Sequence, residues 1–160
     1  MTEEEFKEIL DKEETDTVEF KSWINARNMK EIISLAVDEL IAFANTKGGT
    51  VYFGVEDKPI EVTGCDRKYD GQRIIEGIYD RTVPPLFTEI SDFEYQGKLV
   101  IVISVKADGK TYTTTDGRCL KRLGKNSKPA YPDELSNFYS SAQNPDFSGR
   151  IIGESTLDDV

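Results

Sequence analysis

Residues 42–57, AFANTKGGTVYFGVED, leave an apolar helix, cross Asn-Thr-Lys-Gly-Gly, enter a short apolar strand and stop on two acids. Working backward, Asn28 can cap a helix over 29–46, with Glu31 at its third position completing a capping box. Ile33, Ala36, Val37, Leu40, Ile41 and Ala44 recur at helical spacing, so one face of that helix is apolar. Gly48-Gly49 ends it where a left-handed residue is commonly needed, and a strand over 50–55 follows at once. A helix returning directly into a buried strand is ordinary αβ construction. The same stretch also reads as a polar rim. Glycine admits a close ligand or backbone, and successive N–H groups form an anion nest. The helix presents its negative end there, and no GxxxxGK[ST] occurs, so a Walker-type nucleotide site is unsupported.

Outward from this core, residues 3–12 read as a helix with Phe6, Ile9 and Leu10 on one side. Residues 16–21, DTVEFK, alternate: Val18 and Phe20 share one face, Thr17, Glu19 and Lys21 the other. Asp57-Lys58-Pro59 is a turn, 60–62 a short return strand and 70–80 a helix, with Pro84-Pro85 as a boundary. Residues 87–106 form a hairpin turning at Gln96-Gly97, and 111–123, TYTTTDGRCLKRL, a second one turning at Asp116-Gly117. A closing helix is expected over 132–142. The predicted fold is α+β, a mixed sheet with helices mainly on one face. The expected domain is 1–142, and the polar tail 143–160 is expected to begin a linker to further domains of a longer protein.

The 160 residues suit one domain with its own core. No apolar run is long enough to span a bilayer and the N-terminus is acidic, so the expectation is a cytoplasmic protein without membrane partners. Cys65 and Cys119 have no CxxC spacing and read as reduced, partly buried thiols. The chain has no histidine, which removes Ser-His and Cys-His nucleophiles and the usual catalytic zinc sites. Any metal would be a hard cation held by oxygen, Mg²⁺ or Mn²⁺.

Net charge is −10, which opposes strong nonspecific binding to DNA. Residues 106–128 reverse that balance, carrying Lys106, Lys110, Arg118, Lys121, Arg122, Lys125 and Lys128 against Asp108 and Asp116. In 118-RCLKRLGKNSK-128, basic residues flank a glycine turn beside Asn126 and Ser127, a donor set suited to phosphate. The alternative is a solubilising hairpin whose lysines protect a sheet edge. Lys47 with Asn45 and Thr46 forms a candidate second edge. An acidic constellation comprises Glu14, Glu19 and Asp57, with Lys21 two residues beyond Glu19. Were the two strands paired so that Glu19 and Asp57 converge, such carboxylates would hold an ion that activates water against a phosphodiester. The bland reading is a wet strand face bearing a weak ion pair.

The series 19-EFK-21, 41-IAFANTKGG-49, 53-FGVED-57 with Gly64 beyond it, and 121-KRLGKNS-127 resembles the Schlafen AlbA_2 domain family over roughly 13–140. That resemblance implies an α+β, Alba-like fold and a DNA-binding domain of transcriptional regulators or helicase-related proteins, with further modules following it. It also implies, from RNA-cleaving animal members, a three-carboxylate site at Glu14, Glu19 and Asp57 that would use Mg²⁺ or Mn²⁺. Those members grip RNA with two such lobes, so a homodimer would supply the second. The chain departs from the family pattern at 120-LKRLG-124 and lacks a proline in 110-KTYTT-114. The first expectation is therefore a module binding DNA or RNA rather than an enzyme. An endoribonuclease is the alternative, and a protein-interaction or small-ligand module is the third reading.

Overall fold

A helix between two strands leaves them room to run parallel, and the segment 18–53 takes this route. The computed structural model describes residues 1–131. Along the chain lie α1 (Glu3–Lys12), β1 (Val18–Lys21), α2 (Met29–Ala44), β2 (Gly49–Phe53), β3 (Val55–Asp57), β4 (Ile60–Val62) and α3 (Gly71–Asp80). There follow β5 (Thr82–Val83), β6 (Glu89–Tyr95), β7 (Lys98–Val105), β8 (Thr113–Thr114), β9 (Leu120–Leu123) and β10 (Asn126–Pro129). These elements belong to one compact unit, Met1–Ala130. The helix expected over 132–142 and the tail 143–160 lie outside the described residues.

The main sheet has the order β1-β2-β7-β6, parallel between β1 and β2 and antiparallel elsewhere, so the expected mixed α+β sheet is present. Alternation divides its side chains. Val51 and Phe53 of β2 and Ile101 and Ile103 of β7 face the apolar stripe of α2 and Ile74 and Ile78 of α3. Tyr52 and Val100 face the opposite way, where Phe6 of α1 packs against the Tyr52, Phe93 and Tyr95 rings at 4.8–5.3 Å. Two helices thus cover one face and the short α1 the other. Full burial of a Phe, Leu or Ile contributes roughly 1.5–3 kcal/mol, so these two layers dominate stability over any surface ion pair.

Four local details differ from the sequence reading. At the α2 N-terminus Asn28 Oδ1 accepts from Glu31 N, but Glu31 Oε1 accepts from Arg27 N and Nε rather than closing a box on Asn28. α2 ends at Ala44, and Thr46 N and Gly48 N both donate to Phe43 O in a tightening turn that needs φ +80° at Gly48. The strand expected over 50–55 breaks at Gly54, φ +100°, whose N–H donates to Lys21 O and whose carbonyl accepts from Thr63 and Gly64. β3 then pairs with β4 in a separate small sheet. Finally, 111–123 does not form a hairpin ladder. The Asp116-Gly117 turn exists, but β8 pairs with β5 and β9 pairs with β10 through Gly124-Lys125. Asn45 explains the parting. Its amide donates to Tyr112 O (2.9 Å) and Leu120 O (2.8 Å) and its Oδ1 accepts from Tyr112 N (2.7 Å), occupying groups that a ladder would have used.

Candidate nucleic-acid interface

The alternation of β1 points Glu19 and Lys21 away from the Phe6 layer, and β9 brings Arg122 to meet them. The Arg122 side chain is fully buried. Its Nη1 lies 2.7 Å from Glu19 Oε1 and 3.2 Å from Glu39 Oε1, and donates to Ser127 Oγ at 3.1 Å. Its Nη2 donates to Thr15 O and Val18 O, and the guanidinium lies 4.7 Å over the Phe43 ring. Ser127 Oγ donates to Glu39 Oε1 at 2.5 Å, and Lys21 Nζ stands 3.1 Å from Glu39 Oε2 and 3.6 Å from Glu19 Oε2. Both strands of the β9–β10 hairpin are therefore tied to α2 and β1 by one ionic knot.

The knot holds more carboxylates than cations. Burial, then a hydrogen bond with Glu14 and the charge of Glu39, push the Glu19 carboxyl up to about 8 against the pull of Lys21. A proton kept on Glu19 leaves Glu14 and Glu39 balanced against Lys21 and Arg122. Burial alone lowers the Lys21 amine, but the charges of Glu39 and Glu19 outweigh it and the amine is raised.

The expected interface residues thus separate. Arg122 is a buried brace and offers no surface to a phosphate. Asn45 is the buried clamp between Tyr112 and Leu120, and Thr46 Oγ1 donates to Ala42 O while accepting from Arg122 N. These three residues build the scaffold, because their polar atoms are consumed internally. Lys47 is exposed and paired with Asp16 at 2.6 Å. Lys125 and Lys128 are exposed on the hairpin, and Lys121 is half-buried opposite Lys128.

Of the expected carboxylates, Glu14 and Glu19 come together, with Glu14 Oε2 also accepting from Phe20 N. Asp57 lies on β3, past the Gly54 break, paired with Ile60, whereas Glu19 pairs with Val51. Among the described residues no group of three or more His, Cys, Asp or Glu side chains is placed to hold a metal ion. Glu19 is engaged by Arg122 and Lys21 in this arrangement. The residue missed from sequence is Glu39. Its signal was spacing: three residues after Ala36 and four before Phe43, it is an acid on the buried stripe of α2.

A protein-family model described as Schlafen, AlbA_2 matches residues 14–131 of this chain. Among solved structures, the DIP2311 protein from Corynebacterium diphtheriae superposes with a TM-score of 0.68 at 24% identity, over 79% of this chain and 27% of that one. The N-terminal domain of a RecG-related protein from Nitrosomonas europaea superposes with a TM-score of 0.51 at 19% identity, over 78% of this chain and 92% of that domain. These likenesses establish the shared fold. The present chain spans 27% of the Corynebacterium protein's length. No helix among the described residues is long and apolar enough to cross a membrane.

Proposed function

The chain belongs to the Schlafen AlbA_2 family, and from that membership we propose that it is the nucleic-acid-binding domain of a transcriptional-regulator-like protein, with DNA as its partner. The observation that carries the reading is the β9–β10 hairpin. It presents Lys121, Lys125 and Lys128 on a two-stranded ribbon whose base is locked by the buried Arg122 knot. A ribbon of this kind fits the major groove of B-DNA, about 12 Å wide. Its lysines neutralise phosphates while the acidic body discourages broad, nonspecific coating. Rigid anchoring matters because a ribbon ordered before contact loses less entropy on binding.

Three phosphate contacts set the expected salt dependence. In a fluorescence-anisotropy titration of a labelled duplex, the ribbon alone should contribute about −2.7 to the slope of log K against log salt. A slope near zero rejects the reading.

A further inference from the structure

Of the six arginines among the described residues, four are paired with carboxylates, and Arg73 and Arg81 are not. Arg27 pairs with Glu31, Arg67 with Glu94, Arg118 with Asp38 and Asp116, and Arg122 with Glu19 and Glu39. Arg81, at the C-terminal end of α3, is held differently. Its Nη1 donates to Ser34 Oγ at 3.1 Å and Lys30 O at 3.4 Å, both neutral acceptors on α2. Among the described residues the guanidinium has no carboxylate within ion-pair distance.

Arg81 lines a cleft of about 340 Å³ together with Lys30, Ser34, Thr115, Asp116 and Arg118. Arg118 is committed elsewhere: it lies 3.0 Å from Asp38 Oδ2 and 3.5 Å from Asp116 Oδ1. Asp38 Oδ1 is buried with no other partner, which makes releasing Arg118 costlier still. Asp116 is in turn occupied by Arg118 and the Thr114 hydroxyl. Lys30 and Arg81 form no ion pair among the described residues, and both also line an adjoining hollow with Arg73, Glu76 and Asp80.

We propose that this cleft is a phosphate site, and that it takes a backbone phosphodiester of the bound nucleic acid. A planar guanidinium still carrying unused N–H groups matches the oxygens of a phosphate, and Ser34 and Thr115 add hydroxyls at the wall. The volume exceeds that of a lone phosphate. Ser34 holds the fork in place, so little side-chain freedom is lost on contact. The site lies between α2, α3 and the β8–β9 turn, built from segments other than the β9–β10 ribbon. It deepens the nucleic-acid reading by supplying a second set of contacts.

The test follows the Arg81 Nε–H signal by NMR while the protein is titrated separately with inorganic phosphate and with a short DNA duplex, using chloride as the control. It also measures the anisotropy salt slope for the Lys30→Gln, Arg81→Gln double variant. The expected result is that both probes shift the Arg81 signal and the double variant's slope is shallower by about two. Arg81→Lys should restore about one unit of that slope. A shift with inorganic phosphate alone, with the slope unchanged, overturns the assignment to nucleic acid, and no shift with either probe overturns the site. If the wild type binds no duplex, the proposed function fails at the anisotropy step. The phosphodiester assignment falls with it, whereas the phosphate titration still decides whether the cleft binds phosphate.

Discussion

Arg122 and Lys125 stand three residues apart on one hairpin and live in opposite environments. Arg122 is 5% exposed and held by Glu19, Glu39, Ser127 and two backbone carbonyls, whereas Lys125 lies at the exposed turn. In a strand, alternate residues face opposite sides. Leu120 and Arg122 turn toward α2, and Leu123, 61% exposed, turns away. A basic cluster in sequence is therefore not a basic cluster in space. Of the five basic residues in 118–128, Arg118 and Arg122 are paired within the fold, while Lys125 and Lys128 stand exposed on the hairpin.

The comparison is tested most severely by removing Arg122. Among the described residues, Arg122→Met leaves Lys21 as the one cation facing Glu39 and removes the donor to the Thr15 and Val18 carbonyls, and loss of one partner from such a network costs about 3–5 kcal/mol. Urea denaturation should show that loss, with Tm lower by about 10 °C. A loss below about 1 kcal/mol would show that Arg122 is not a brace, and the contrast with Lys125 would collapse.

The second support of the same hairpin is Asn45. Asn45→Ala strands the Tyr112 N–H and the carbonyls of Tyr112 and Leu120 in a buried place, at about 1–3 kcal/mol. Asn45→Asp is the sharper variant, because it keeps the acceptor for Tyr112 N and loses both donor bonds. If Asn45→Asp is as stable as the wild type, the clamp does not operate through its amide.

Asn45 also marks the limit of what the sequence made legible. The long helix, the Gln96-Gly97 hairpin and the α+β class were readable because each rests on local periodicity or turn chemistry. The parting of β8 from β9 was not, because the cause is a side chain 67 residues from Tyr112. Arg122 was half legible. Its basic character was legible, but it read as a phosphate contact because the acid that receives it, Glu39, is remote in sequence. The break after Phe53 was not legible for a similar reason: Gly54 turns the chain off the main sheet through bonds to Lys21, Thr63 and Gly64.

A pH titration probes the knot more gently. The Glu19 carboxyl is raised from 4.5 to about 8, so the folded state holds a proton that the unfolded state releases. The resulting stabilisation is full below about pH 4.5 and is lost as pH rises toward 8, because there the native state binds more protons than the unfolded one. Stability should decline across this window by no more than about 1.4 kcal/mol per pH unit. Glu19→Gln, which carries no titrating proton, should flatten the decline. A wild-type profile that rises over the same window would show Glu19 ionised in the fold, with the knot carrying net negative charge.

The smallest effect on stability is expected where the effect on binding is clearest. Lys125→Ala and Lys128→Ala remove exposed ammonium groups that form no ion pair among the described residues, so each should change unfolding free energy by less than about 0.5 kcal/mol. If they contact phosphate, the double variant should lower the magnitude of the salt slope by about two and weaken all duplexes to a similar degree, since a phosphate contact carries no base identity. The Arg122 variant, refolded and assayed below its own transition, should retain part of that slope, because the lysines remain and only their support is loosened. Equal slopes for wild type and the lysine double variant would move the contact surface off the ribbon while leaving the Arg122 brace intact, separating the two halves of the hairpin by their functions.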